Sequence, residues 1–229
     1  MKEIFNDWKG AFPLLYKVKP FTLYEILGPL LLGIELEKSR FSECYRPYLS
    51  VSGLWGSDVS NFKGKLKDFD CAFYPEIYFP LNNSLKIRDT YFVDYEEHKA
   101  LFSQMIAEIK NQFPPLEKNV KKEELLNFIN WYRNNNDLIK GGSNLDAQLL
   151  EFRYILGLYF NDYDLIANTE KEIDNEREKW DKRIFVLKFG DYNEWLNKIK
   201  TLQRQDLLNS ILRVTNNEKL RNLNVYELI

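Results

Sequence analysis

The side chains best suited to chemistry surround the chain's one histidine, His98. Asp94 and Glu97 precede it and could join it as ligands, because carboxylate oxygens and imidazole nitrogens bind divalent metals. The spacing has a simpler interpretation, since an acid at a helix start with a glutamate three residues later is the capping-box pattern. We favour capping. The alternative hypothesis is a metal-dependent enzyme or small-ligand-binding protein that uses the acids near Asp94–His98.

Other catalytic patterns are missing from the sequence. With one histidine, a nucleophile–histidine–acid triad would have to use His98, and no Gly-x-Ser-x-Gly elbow accompanies it. The glycines form neither Gly-x-Gly-x-x-Gly nor a Gly-x-x-x-x-Gly-Lys phosphate loop. We therefore expect no cofactor. The sequence leans away from an enzyme without deciding the question.

Three aromatic residues and one arginine are candidates for binding another molecule. Trp55, Trp131 and Tyr132 lie beside glycine-rich or asparagine-rich sequence, and exposed aromatic side chains often anchor a partner protein. Core packing is the favoured use of each. Arg153 lies on a narrow polar strip of an otherwise apolar stretch, so it could clamp an anionic group. The favoured interpretation is that it pairs with a neighbouring acid and fixes the helix register.

The composition of the 229-residue chain narrows the classes of protein that it can be. With 45% apolar and 15% aromatic residues it can bury a core without disulfides. A formal charge of -2 disfavours a dedicated nucleic-acid binder. Cys44 and Cys71 are too few for a disulfide framework, and the longest apolar run, from 26 to 34, is too short to span a bilayer. We expect a cytoplasmic protein with no membrane partner.

The position of Arg153 depends on the stretch from Asn144 to Phe160, NLDAQLLEFRYILGLYF. At 100° per residue it has two opposed apolar arcs with narrow polar strips between them. A helix with two apolar faces must be covered on both, which predicts the central helix of a helical layer. The wider arc carries Leu145, Leu149, Phe152, Leu156, Tyr159 and Phe160, and the second carries Leu150, Tyr154, Ile155 and Leu158.

Amphipathic patterns predict three more helices in the second half of the chain. In the second of them, apolar residues at sevenfold spacing predict one packed stripe on an otherwise solvated helix. The last helix has a weak point near 203–206, where a bend is expected. The ranges are Lys121–Arg133, Asp164–Leu187 and Asn193–Val214, and the stripe is Ile166, Ile173, Trp180 and Leu187.

A five-residue motif occurs twice between these helices, at 160–164 and at 189–193. In each copy an aromatic residue, a turn residue and an aspartate can end one helix and cap the next. A shared repeat would explain the motif. Two helix–helix corners that solve the same capping problem are the favoured explanation.

The first half of the chain mixes strands and helices. The stretch Phe21–Leu32 has helical spacing and predicts a buried helix kinked at Pro29. Alternation between 34 and 55 predicts a two-stranded hairpin, and 69–79 and 85–93 predict two further strands. The apolar spacing from Ala100 to Ile109 predicts a helix that ends before the double proline at 114–115.

These patterns predict an α+β fold. A small antiparallel sheet with helices is expected in the N-terminal half, and an all-α layer of αα-hairpins in the C-terminal half. The double proline separates a mixed region, 1–115, from a helical region, 116–229. They are either two domains or parts of one continuous domain.

The functional hypothesis is a non-enzymatic cytosolic module that binds another protein. It depends on the missing catalytic motifs and on a composition rich in aromatic, amide and balanced charged residues. Abundant Lys, Asn and Ile are typical of an AT-rich microbial genome. The most concrete version is therefore a bacterial immunity or antitoxin-like inhibitor of a partner protein.

Overall fold

The computed structural model describes residues 1–54, 76–80, 92–112, 120–135, 144–216 and 220–229, with only the backbone of 76–80. Trp55, the double proline and most of the strands predicted at 69–79 and 85–93 lie outside these ranges. The helices are α1 (Lys2–Ala11), α2 (His98–Gln112), α3 (Lys122–Asn135), α4 (Asn144–Phe160), α5 (Tyr163–Glu176), α6 (Lys182–Phe189), α7 (Tyr192–Thr201) and α8 (Arg204–Thr215). The strands are β1 (Tyr16–Lys19), β2 (Thr22–Leu27), β3 (Leu30–Lys38), β4 (Cys44–Gly53), β5 (Glu76–Pro80), β6 (Val93–Asp94) and β7 (Val225–Tyr226).

The strands form one sheet in the order β1-β2-β3-β4-β5. Along this path each neighbouring pair is antiparallel, and β6 adds antiparallel to β4. Strand β7 pairs parallel with β2, so the end of the chain returns to the sheet built by its beginning. The predicted α+β class, with the small sheet in the N-terminal half and mostly helices in the C-terminal half, is confirmed.

The stretch Phe21–Leu32, predicted as a kinked helix, instead forms β2, a tight turn and the start of β3. Leu27 pairs with Leu30 across a two-residue loop whose first residue, Gly28, has a φ of 53°. Such a loop favours glycine at a position of positive φ. The prediction was wrong because both faces of β2 are buried, and periodicity does not separate a fully buried strand from a buried helix. The predicted hairpin that follows is confirmed as β3 and β4.

Successive residues of β2 point into different cores. Leu23 and Leu27 belong to the large core between the sheet and helices α1 to α4. Tyr24 and Ile26 point to the opposite face, where they pack with Leu223 of the C-terminal segment. The large core contains residues from both halves of the chain. The division into regions 1–115 and 116–229 stays a prediction.

Helix α4 has the bounds that the sequence predicts, and it is covered on both sides. Leu149 and Leu156 of its wider arc lie in the large core against the sheet. Leu150 and Tyr154 of the second arc lie in another cluster, which includes Trp195 of α7. The prediction of a central helix covered on two faces is confirmed.

The single helix predicted over Asp164–Leu187 is wrong, because the chain breaks between α5 and α6. After a turn of 3-10 helix, Trp180 is extended, with φ -76° and ψ 140°, and its side chain is buried. Asp181 then caps α6 by accepting hydrogen bonds from the amides of Arg183 and Ile184. The break between α7 and α8, at 202–203, is close to the predicted bend.

The repeated five-residue motif forms two helix–helix corners, as predicted. Asn161 and Gly190 have φ values of 58° and 80°. Asp162 and Asp191 each cap the next helix with a side-chain oxygen. Both corners therefore reverse the chain in the left-handed region and restart a helix at an aspartate.

Helix α1 was not predicted, although its apolar residues Ile4, Phe5 and Trp8 have helical spacing and are buried. It packs into the large core beside α2. This position brings Asp7 next to His98 at the start of α2.

Candidate functional site

Two buried acids of α4 hold the outer helices in place. Asp146 accepts a hydrogen bond from the indole nitrogen of Trp180 at 3.0 Å, and Glu151 accepts one from Trp195 at 2.9 Å. The two carboxylates lie on the polar strips that separate the apolar arcs of α4. The strips are therefore anchor points for the segments before α6 and within α7.

Arg153 lies in the ion pair that the sequence analysis favoured. Its guanidinium donates to the Glu172 carboxylate of α5 at 2.8 Å, and Arg133 of α3 pairs with both Glu172 and Asp146. Burial raises the pKa of Glu172, but its bonds to Arg153 and Arg133 outweigh burial and leave the pKa below its usual value. The network joins α3, α4 and α5 through paired charges, while the Nε of Arg153 is buried and has no hydrogen-bond partner among the described residues.

An aromatic cluster fixes the inner side of α6. The rings of Trp180 and Phe185 stack 5.5 Å apart with an interplanar angle of 2°. Trp195 meets both of them edge-on. Offset stacking and edge-to-face packing are the favoured arrangements of aromatic rings, so α6 has a defined orientation.

The outer side of α6 exposes three aliphatic side chains. Leu187 is 86% exposed, Val186 58% and Ile184 53%. The predicted packing of Leu187 in the sevenfold stripe is therefore wrong. Phe185 faces the core, and Leu187 lies two residues away, nearly on the opposite side of the helix. Four consecutive apolar residues, 184–187, extend around a whole helical turn, and this signal could have predicted the exposure.

A cavity of about 350 Å³ opens beside this surface. Val186 belongs both to its lining and to the exposed side of α6. The aromatic part of the lining comes from the cluster that holds α6, and Arg177 lies over the Tyr192 ring at 5.6 Å. An apolar group of a partner could therefore enter the cavity while its neighbours cover α6. The lining includes Arg177, Trp180, Lys182, Phe185, Val186 and Tyr192.

His98 is buried and forms a hydrogen-bond chain with three residues distant in sequence, of which Asp7 is 46% exposed. Its Nε2 lies 3.0 Å from the Asp7 carboxylate, its Nδ1 lies 2.7 Å from the Tyr45 hydroxyl, and Trp8 donates to the same hydroxyl. Because a carboxylate only accepts, neutral His98 donates from Nε2 and accepts at Nδ1 from Tyr45. Burial lowers the pKa of His98, and its bond to Asp7 offsets only part of this effect.

This chain has the order of a catalytic triad but not its access. The Tyr45 hydroxyl belongs to a side chain with no exposed surface, and burial raises its pKa well above the usual value. A substrate cannot reach a hydroxyl enclosed in the core, so the arrangement connects α1, β4 and α2 structurally. In the part of the chain that the structure describes, no three potential metal-ligating side chains lie together.

Asp94 and Glu97 lie in the turn that leads into α2. The amide of Glu97 donates to the Asp94 carbonyl at 3.1 Å. Helix α2 begins at His98, three residues later than a capping box on Asp94 would place it. Asp94 and Glu97 therefore lie in the β6–α2 turn, before the first residue of the helix, and the capping interpretation stays a prediction.

Replacing Tyr45 with phenylalanine tests the buried chain. The change keeps the ring and leaves the His98 Nδ1 and the Trp8 indole without their shared partner. We expect a loss of roughly 1–3 kcal/mol in the free energy of unfolding, measured with denaturant at pH 7. Tyr163→Phe is the control, because Tyr163 is exposed and its loss should be within about 0.5 kcal/mol. Equal effects of the two substitutions would contradict the expectation.

The remaining aromatic candidates occupy different environments. Trp131 of α3 is 45% exposed, and its ring stacks on Phe128 at 6.3 Å. Tyr132 is buried in the large core. Trp55 lies outside the described residues. The predicted binding residues are therefore not gathered at one site among the described residues, and the exposed side of α6 is the surface that sequence reasoning missed.

Comparison with known proteins gave no match to a family model, a curated protein or a solved structure. Of the helices described, none combines the length and the apolar character needed to cross a membrane. The residues themselves are therefore the basis for a functional proposal.

Proposed function

We propose that the chain is a protein-binding module that acts through the outer side of α6. In its most concrete form it is a cytosolic bacterial inhibitor of the immunity or antitoxin type. The observation that carries the proposal is the exposure of Ile184, Val186 and Leu187 on one short helix. A contiguous group of exposed apolar side chains marks a surface that binds another protein.

The aromatic side chains that pack beneath α6 favour binding of a partner without rearrangement of the helix. The indoles of Trp180 and Trp195 are bonded to buried acids of α4, and Phe185 packs against both indole rings. A surface whose supporting side chains are already ordered loses less conformational entropy when a partner binds. The exposed aliphatic groups are thus presented by a fixed platform.

The metal-dependent enzyme hypothesis has less support from the geometry. Both ring nitrogens of His98 already have hydrogen-bond partners, Asp7 and Tyr45. A metal would have to displace one of them in a buried network. Binding through α6 requires no such displacement.

Replacing Leu187 with aspartate should abolish or strongly weaken partner binding. A charge at the centre of an apolar interface costs at least about 2 kcal/mol, or roughly 30-fold in Kd. Leu212→Asp is the matched control, because Leu212 is 60% exposed on α8. The tagged wild type and both variants would be isolated from the native host, and the co-purified protein would be purified and titrated by calorimetry.

The expected result is a partner bound by the wild type and by Leu212→Asp but not by Leu187→Asp. Thermal unfolding of both variants should match the wild type, because each substitution is on an exposed side chain. Equal binding by all three proteins would contradict the proposed surface. The inhibitor version adds a further test: expression of the partner alone should arrest growth, and the wild type but not Leu187→Asp should relieve the arrest.

A further inference from the structure

We infer that the partner covers α6 with an acidic amphipathic segment, in which carboxylates flank apolar side chains. This inference depends on the proposed function, since it names the chemistry of the partner at the same surface. It is carried by the position of the positive charges on α6 relative to the exposed aliphatic groups.

One positive charge of α6, that of Arg183, lies within the apolar stripe. Arg183 precedes Leu187 by four residues and Val186 by three, so all three occupy neighbouring positions on one side of the helix. Ile184 and Leu187 are likewise three apart. A partner that covers Leu187 and Val186 therefore has Arg183 beside it in the same surface.

A guanidinium placed in an interface requires a compensating charge. Removing a charge from water without a partner is strongly unfavourable. A carboxylate opposite Arg183 would offset this cost and could accept two hydrogen bonds from the planar guanidinium. The partner surface must therefore combine apolar side chains with at least one acid at the matching position.

The charges at the start of α6 agree with this inference. Lys182 and Arg183 occupy the first turn, where the helix dipole disfavours cations, and that turn contains no acid. Asp181 is engaged as the cap, and Lys182 has a long contact of 3.7 Å with Glu178. Additional carboxylates from a partner would interact favourably with both the cations and the helix start. The chain as a whole carries a formal charge of -2, so this positive surface is a local feature.

A protein segment fits this surface better than an anionic membrane does. Helices that bind membranes through one face bury a long apolar stripe, whereas α6 has eight residues. The acids Glu178, Asp181 and Asp191 adjoin the same helix or its cavity, and an anionic lipid surface would repel them. A partner protein can place its carboxylates at Arg183 and avoid these acids.

Photo-crosslinking can identify the covering segment directly. Leu187 would be replaced by p-benzoylphenylalanine in the full chain in its native host, with the same replacement at Leu212 as the control. The expected product at position 187 is a partner peptide with net negative charge and apolar residues at helical spacing. A neutral or basic peptide overturns this inference but leaves the proposed function standing. If crosslinking at position 187 gives no more protein product than crosslinking at 212, both the inference and the proposed function are overturned. A product formed with lipid would also overturn both.

Charge reversal then tests the role of Arg183 in the purified pair. Arg183→Glu should weaken binding at least tenfold and reduce its dependence on salt, while Arg183→Lys, which keeps the charge but not the planar pair of donors, should lose less affinity and keep the salt dependence. Arg213→Glu on α8 is the control and should bind as the wild type does. Changing the crosslinked acid of the partner to lysine should restore binding to Arg183→Glu.

Two outcomes would contradict these expectations. If Arg183→Glu binds with unchanged affinity and salt dependence while Leu187→Asp still does not bind, the inference of an acidic segment is overturned and the proposed function stands. Wild-type binding to vesicles of equal parts phosphatidylglycerol and phosphatidylcholine, lost in Leu187→Asp, would overturn both proposals.

Discussion

Replacing Glu25 with glutamine is expected to remove a loss of stability that the wild type shows as the pH rises from about 4.5 to about 8. Glu25 lies on β2 with no exposed surface, between Leu23 and Leu27 on the side that faces the large core. Neither of its carboxyl oxygens has a hydrogen-bond partner among the residues that the structure describes. Burial raises its pKa from 4.5 to about 8, so the folded protein keeps this side chain protonated at neutral pH.

The sign of the effect follows from proton binding in the two states. Below 4.5 the carboxyl is protonated in both the folded and the unfolded chain, and the pH has no effect through this group. Between 4.5 and 8 the unfolded chain releases the proton while the folded chain retains it, so stability falls as the pH rises. Each unit of pKa shift corresponds to about 1.4 kcal/mol, so the loss reaches roughly 3–5 kcal/mol near pH 8.

Denaturant unfolding of the wild type and Glu25→Gln from pH 5 to pH 8.5 would measure this loss. The difference in the free energy of unfolding should grow with pH in favour of the variant. Glu3→Gln is the control, because Glu3 is an exposed acid on α1 and its substitution should leave the pH dependence unchanged. Taking the difference between variant and wild type also cancels the contribution of His98. That contribution is present above pH 6.5 and is lost as the pH falls through its lowered pKa. Parallel pH curves for wild type and Glu25→Gln would contradict the expectation.

Replacing Asp146 with alanine is expected to destabilise the helical half and to weaken partner binding. Its carboxylate pairs with Arg133 and accepts the Trp180 indole hydrogen at 3.0 Å. The substitution leaves the partly buried guanidinium of Arg133 with fewer partners and the buried indole nitrogen of Trp180 without Asp146, which costs about 3–5 kcal/mol. Because Trp180 stacks on Phe185, the orientation of α6 should loosen as well.

A double-mutant cycle with Arg133→Met would separate the ion pair from general packing. The coupling between the two positions should be about 1–3 kcal/mol, because a variant that lacks both charges leaves no cation unpaired. Glu176→Ala is the control, since Glu176 pairs with the exposed Lys179 and the loss there should stay below about 1 kcal/mol. Equal losses for Asp146→Ala and Glu176→Ala would contradict the role of Asp146. Binding measured on the folded fraction should fall for Asp146→Ala and not for Glu176→Ala.

The elements predicted correctly are those whose signal is contained in a short stretch of chain. Two opposed apolar arcs predicted the bounds and double burial of α4, and the helix-end aromatic, turn residue and aspartate predicted both corners. Arg153 belongs here too, because a cation on the polar strip of a buried helix must find an acid. Helix α2 was predicted as a helix, but its start at His98 was not.

The errors arose where the local pattern fits two structures and the packing between elements decides which one forms. Strand β2 is covered on both faces, so its run of apolar residues resembled a buried helix until the pairing with β3 was known. The sevenfold spacing of apolar residues is present in Asp164–Leu187, but the chain is not one helix there. Trp180 is an extended residue between two helices, where it donates a hydrogen bond to Asp146 and packs on Trp195. After that break, Leu187 faces outward instead of continuing the stripe.

Local patterns were enough to predict the class of fold, the central helix and the corners, because capping and periodicity act between residues a few positions apart. The packing of whole elements brings together side chains that are far apart along the chain: His98 contacts Asp7, 91 positions away, and Trp195 contacts Glu151, 44 positions away. It also decided that Glu25 is enclosed and Leu187 is exposed. The physical reason is that burial and long-range hydrogen bonds depend on how whole elements pack, and local spacing does not specify that arrangement.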